Sequence, residues 1–144
     1  MIRHFDHVTV VVRDLAAARR FFALLGFAED KAVVIRGETF ARYMGVPGIE
    51  ADHVTLYVPG REPRFEVQLL HFRQPEPVDD RARARLDRLG FNHVCFAVDD
   101  LEAALARLTA AGVKQKSDLL DFHSRKLVFL DGPEGITVEL AEWR

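Results

Sequence analysis

A single cysteine, Cys95, rules out an internal disulfide and fits a reducing compartment. No run of apolar residues is long enough to span a bilayer, and the start MIRHFDH lacks the apolar stretch of a secretory signal. A cytoplasmic protein without a membrane partner is therefore expected. Nor does one sign of charge dominate. Twenty basic and 22 acidic side chains are interspersed, with a formal net charge of -2, which removes the electrostatic reason to expect nucleic acid as a partner. What remains is a chain of 144 residues, 49% hydrophobic and 29% charged, with the size and composition of one globular domain that buries its own core. A small molecule is the expected partner.

The chain repeats itself. Residues 7–27, HVTVVVRDLAAARRFFALLGF, overlay residues 93–113 without gaps, pairing His7 with His93, Val8 with Val94, Val12 with Val98, Asp14 with Asp100 and Leu15 with Leu101. Ala17, Ala18 and Gly26 find partners in Ala103, Ala104 and Gly112, making eight identities in 21 positions, where unrelated segments would give roughly one or two. Each copy reads as a strand followed by a helix. A β-branched run ends at an aspartate suited to cap the helix, and a glycine suits the left-handed position after it. A second repeat lays LYVPGREPRFEVQL, residues 56–69, over LVFLDGPEGITVEL, residues 127–140; each predicts a β-hairpin around a turn rich in Pro and Gly. The expected architecture is α+β, with module one over about 4–72, a surface linker over about 73–90 and module two over about 91–144 of a single 1–144 domain. The RARAR run of the linker, diluted by Asp79, Asp80 and Asp87, reads as a solvated face.

Strand alternation places the histidines. Val8, Val10 and Val12 share one face and His7, Thr9 and Val11 the other; Val94, Phe96 and Val98 likewise oppose His93, Cys95 and Ala97. Phe65, Val67 and Leu69 oppose Glu66, Gln68 and Leu70, and Ile136, Val138 and Leu140 oppose Thr137, Glu139 and Ala141. The uniformly apolar faces belong under the amphipathic helices, which leaves His7, Gln68, His93 and Glu139 on the opposite faces, the inside of a cup if the sheets curl together. Two imidazoles, a carboxamide and a carboxylate suit one divalent ion: zinc, nickel, cobalt, manganese or ferrous iron. Taken singly, each has an ordinary explanation, a hydrogen-bonded strand histidine or a solvent-facing Gln or Glu. Repetition favours the metal. Cys95 reads first as a small, half-buried hydrophobe. With Thr9, on the equivalent face, it is also a candidate for substrate contact.

These stretches, together with VQLLHF, NHVCFAVDDLEAALARLTAAGV and DGPEGITVELAEW, resemble the vicinal oxygen chelate superfamily of glyoxalases, methylmalonyl-CoA epimerases, extradiol dioxygenases and drug-resistance proteins. The resemblance implies two tandem βαβββ modules forming a cup-shaped, mostly antiparallel sheet with helices on its outer face. It also implies metal ligands at His7, Gln68, His93 and Glu139, and a homodimer. The His, Gln, His, Glu order looks most like the epimerases and glyoxalases, in which a metal-dependent isomerase or lyase stabilises an enolate-type intermediate of a small carbonyl or thioester substrate. Glu139 then serves as ligand and base. One departure stands out: the epimerases carry a second catalytic glutamate on the third strand of module one, where Val54 stands here beside His53. If Val54, Leu56 and Val58 form the covered face, His53 and Tyr57 enter the cup as acid/base candidates; a one-residue slip reverses this. His123 and Arg125, in DFHSRK, are candidates for meeting an anionic group of the substrate.

Three other functions compete. An extradiol-type dioxygenase uses His, His and Glu around ferrous iron, but a fourth protein ligand, Gln68, would occupy a position that its chemistry needs open. A metal-free drug-binding resistance protein has little use for the ligand set, and a fosfomycin thiol transferase usually lacks the glutamine.

Overall fold

In the computed structural model, which describes residues 1–144, the chain forms two compact units, Met1–Asp79 and Asp80–Arg144. The first contains β1 (His7–Val11), α1 (Leu15–Leu24), β2 (Ala28–Arg36), α2 (Glu38–Met44), β3 (Glu50–Tyr57) and β4 (Glu66–Gln74). The second contains a 3-10 turn at Arg81–Ala84, then β5 (His93–Ala97), α3 (Leu101–Ala110), β6 (Leu120–Phe122), β7 (Arg125–Asp131) and β8 (Thr137–Trp143). Each unit folds one four-stranded mixed sheet, in the orders β1-β4-β3-β2 and β5-β8-β7-β6. In each, the first and last strands pair in parallel and the other pairs are antiparallel. The α+β class and the duplicated strand–helix–strands plan therefore hold.

The two strand–helix repeats are built by the same local chemistry. Asp14 accepts a hydrogen bond from the Ala17 N–H and Asp100 from the Ala103 N–H, both at 2.8 Å, so each aspartate satisfies a donor that the first helical turn leaves open. At the far ends, Gly26 and Gly112 sit at φ 92° and 88°, a region that penalises any side chain. The buried faces follow the strand alternation. Val10, Val12, Val54, Leu56, Val67 and Leu69 are buried in the first unit with Ala18, Phe21 and Phe22 of α1. In the second unit, Val128, Leu130, Val138 and Leu140 are buried with Leu101, Ala104, Leu105 and Leu108 of α3. Burying each larger side chain contributes about 1.5–3 kcal/mol.

Two features differ from the plan drawn from sequence. The short helix α2 is an addition to module one, without a counterpart in module two, where a two-residue turn at His123 and Ser124 joins β6 to β7. It packs on the face opposite α1: Ala41 of the helix, with Val46 just beyond its end, covers a cluster of Ile35, Ile49, Ala51 and Leu70. That end of the face is apolar and needs cover. The hairpin overlay also slips. Eight residues, 58–65, join β3 to β4, whereas five, 132–136, join β7 to β8. The final strands keep their equivalence, but β3 and β7 are offset by three further positions, so Leu56 corresponds to Leu130 rather than Leu127.

Candidate functional site

Cross-strand register sorts the polar face of each sheet into rows. In the first unit, Tyr57, Glu66 and His7 lie side by side; the next row is Lys31, Thr55, Gln68 and Thr9; the next is Val33, His53, Leu70 and Val11. In the second unit the matching rows are Asp131, Thr137 and His93, then Phe129, Glu139 and Cys95, then Leu120, Leu127, Ala141 and Ala97. Gln68 and Glu139 thus hold the same place in their sheets, as do His7 and His93, and Thr9 and Cys95.

Val54 is fully buried and paired with Leu69, so His53, Thr55 and Tyr57 project from the other side of β3. Of the two registers left open by the sequence, this is the one with His53 on the Gln68 face. His53 Nε2 lies 3.0 Å from Gln68 Oε1, while Gln68 Nε2 donates to Glu66 Oε2 at 3.0 Å. The carboxylate can only accept, which fixes the amide orientation and makes His53 Nε2–H a donor to Oε1. Thr9 Oγ1 reaches the same oxygen at 3.5 Å. Tyr57 is engaged otherwise: the Arg64 guanidinium lies 4.3 Å over its ring and pairs with Asp30 and Glu66.

Each repeated histidine is held by the residue before it. His7 Nδ1 lies 2.6 Å from Asp6 Oδ2, and the bond holds the Asp6 carboxyl below its ordinary range. His93 Nδ1 lies 2.8 Å from Asn92 Oδ1, and Asn92 Nδ2 donates to the Leu86 carbonyl at 2.6 Å, so the Asn92 oxygen is the atom turned to the imidazole. In both rings Nδ1–H donates to the neighbour, so Nε2 is the nitrogen that this anchor leaves unengaged, as in metal-binding imidazoles held by an outer partner.

In the second unit His93 Nε2 stands 3.1 Å from Glu139 Oε2. Two donors bound to one ion through bonds of about 2.1 Å stand about 3.0–3.4 Å apart in octahedral or tetrahedral geometry. The 3.1 Å separation falls in that range, and it is equally the distance of a direct contact between imidazole and carboxylate. Phe129 packs edge-on against the His93 ring, centroids 5.1 Å apart, and restricts its rotation. The Cys95 thiol is pushed up to about 12, first by desolvation, then by the hydrogen bond and charge of Glu139. It is a neutral donor to the carboxylate rather than a thiolate. His123, at φ 54° in the β6–β7 turn, packs on Phe122 with centroids 4.2 Å apart, and Arg125 lies 4.7 Å over the Trp143 ring.

Asp6, Asn92, Glu66 and Phe129 were not singled out from sequence. The first two were legible: they occupy the position before each histidine, and beginning the repeat one residue earlier sets them opposite one another. A separate acidic group, Asp100, Glu102 and Glu142, gathers at the start of α3. It includes none of the candidate ligands, and each carboxylate already has a partner: Asp100 caps Ala103, Glu142 accepts from the Leu101 N–H at 2.7 Å, and Glu102 pairs with Lys126 at 2.7 Å.

The model of the Glyoxalase/Bleomycin resistance protein/Dioxygenase superfamily matches residues 6–129. The chain is 24% identical over 143 residues to the uncharacterized protein YaeR of Escherichia coli, covering 98% of this chain and 97% of that protein. It is 26% identical over 150 residues to an ethylmalonyl-CoA/methylmalonyl-CoA epimerase of Cereibacter sphaeroides, covering 99% of each. A lactoylglutathione lyase of Schizosaccharomyces pombe is 27% identical over 143 residues, and the chain spans 44% of its length. The crystal structure of a glyoxalase family protein from Bacillus cereus superposes with a TM-score of 0.89 at 26% identity, over 99% of this chain and 95% of that one. A fosfomycin resistance protein, FosX, from Listeria monocytogenes shares the fold, with a TM-score of 0.64 at 14% identity.

Proposed function

Since the chain belongs to the glyoxalase/bleomycin resistance protein/dioxygenase superfamily, we propose that it is a metal-dependent isomerase or lyase of the glyoxalase or epimerase kind. Its metal donors are His7, Gln68, His93 and Glu139. The observation behind this reading is the duplicated histidine, anchored each time through Nδ1 so that Nε2 is presented, with the Glu139 oxygen 3.1 Å from one of them. These four residues would hold a dication, which when bound would supply Lewis-acid polarisation of a substrate carbonyl.

The side chains divide the remaining work. Glu139 accepts a proton from the carbon beside the carbonyl, and the neutral Cys95 thiol, donating to it, steadies the carboxylate between turnovers. His53 holds the Gln68 oxygen in place through Nε2–H and keeps Nδ1 for proton transfer; Tyr57 is the other acid/base candidate. Thr9 is a substrate contact beside Gln68. The protein is expected to work in the cytoplasm as a homodimer.

Metal analysis of the purified protein, repeated for His93→Ala, tests the ligand set. One equivalent of a divalent ion, lost in the variant, is expected; no metal after reconstitution would leave a binding protein instead. Deuterium from solvent should enter the carbon beside the carbonyl of a thioester or hydroxyketone substrate. Oxygen consumption on catechols without such exchange would replace the proposal by the dioxygenase reading.

A further inference from the structure

The two sheets end differently on their polar faces. In the first unit the row beyond His53 is Ile35, Ala51 and Phe72, and α2 lies over it. The equivalent row in the second unit is Phe122, Arg125 and Trp143, and no helix is built there. Phe122 is 45% and Trp143 61% exposed. Where one module places an apolar row under its own helix, the other presents a cation between two aromatic rings to solvent.

The charge on this row is uncompensated on its own face. Asp121, Lys126 and Glu142 are register partners one position away, so they project from the opposite side of the sheet. Asp121 is in any case paired with Arg144, and Lys126 with Glu102. The adjoining row, Leu120, Leu127, Ala141 and Ala97, carries no charge. The next acid on this face is Glu139, four residues back along β8, roughly 13 Å at the rise of a strand. The Arg125 guanidinium carbon lies 4.7 Å from the Trp143 ring centroid, a cation–π contact that holds the cation on the ring while its N–H donors can still meet an oxyanion. Aromatic surface on both sides suits an apolar group attached to that anion.

We propose that Arg125, with Phe122 and Trp143, is a subsite for a carboxylate remote from the reacting carbonyl. Resting on the function proposed above, this assigns the substrate to a class: a carbonyl or thioester compound with a second, distant carboxylate, joined by an uncharged spacer that crosses the Ala141–Leu127 row. Arg125 binds and orients; it takes no part in proton transfer.

Trp143 is the only tryptophan of the chain, so its emission reports on the subsite. The probes are phenylacetate and its uncharged analogue phenylacetamide, titrated into the protein as purified. Phenylacetate should change the Trp143 emission saturably. Phenylacetamide should bind about tenfold more weakly, and Arg125→Gln should weaken phenylacetate by about tenfold, the effect of losing one charge-assisted pair. Arg125→Lys should fall between, because it keeps the charge and loses the planar fork. Far-ultraviolet circular dichroism of the variants checks that β6–β7 still forms. Equal binding of the two probes, undiminished phenylacetate binding by a folded Arg125→Gln protein, or no response to phenylacetate would overturn the subsite. Since the titration requires neither turnover nor the metal ligands, it separates from the metal and exchange tests: either proposal can fail while the other stands.

Discussion

Asn92 spends both ends of its amide on holding His93, one through the Leu86 carbonyl and one through the imidazole Nδ1. Asp6 does the same work for His7 with a carboxylate. Residues that hold a ligand from behind change metal affinity without touching the ion, because they set the tautomer and the ring orientation. Asn92→Ala is accordingly expected to weaken metal binding about 10–100-fold, the usual effect of removing such a partner, with the fold retained. Competition with a chromophoric chelator measures the affinity, and an unchanged value would mean that Phe129 alone orients the ring. The ligand candidates themselves were legible from strand alternation. Their anchoring was not, because hydrogen-bond direction depends on which carbonyl or carboxylate the fold brings to each nitrogen. His53 lies between these cases: its residue type was visible, but its side of the sheet awaited the pairing of Val54 with Leu69.

At the scale of elements, the two strand–helix repeats predict two separable stability losses. Asp14→Ala and Asp100→Ala should each cost about 1 kcal/mol in urea unfolding, the ordinary value of an N-cap. Each caps its own helix, so the double variant should lose close to the sum. β3 and β4 are joined by a different device. Asp52 on β3 bonds Arg73 at 2.7 Å and His71 at 3.0 Å across the register, and Arg73 first, then His71, hold its carboxyl below the ordinary 3.8. A depressed carboxylate stabilises the fold above its unfolded pKa, and that contribution is lost as pH falls through the folded value. Asp52→Asn should therefore cost up to about 1 kcal/mol at pH 7, screened because Arg73 is half exposed, and the gap to the parent should close below pH 3.8. Urea midpoints at pH 7 and pH 3 decide it. Boundaries of these elements followed from aspartates, glycines and alternation, which are local signals. The helix α2 did not, because its seven residues begin at Gly37 without a side-chain cap and bury little of themselves. It exists because Ile35, Ala51 and Leu70 need cover, a requirement set by strands elsewhere in the chain.

For the whole molecule, metal binding should appear as stability. A ligand that binds only the folded state at 100 times its dissociation constant raises the unfolding free energy by about 2.7 kcal/mol. Thermal melts with and without saturating zinc or cobalt should show this shift, chelator should reverse it, and His93→Ala should abolish it. A shift that persists in the variant would move the bound ion away from His93. No helix is long and apolar enough to cross a membrane, and the charges of the chain nearly balance.

The amino-acid sequence determined the duplication, the two helix caps, the alternating faces and the choice of four candidate donors. Each depends on neighbours in the chain or on a period of two, and such rules operate before any strand finds its partner. Tertiary structure decided the rest: the three-residue slip between the hairpins, the side on which His53 lies, the covering of one apolar row by α2, and the meeting of Phe122, Arg125 and Trp143 across three strands. Those outcomes depend on cross-strand register, and register is fixed by burying one whole face of a sheet at once, a condition that no single segment carries.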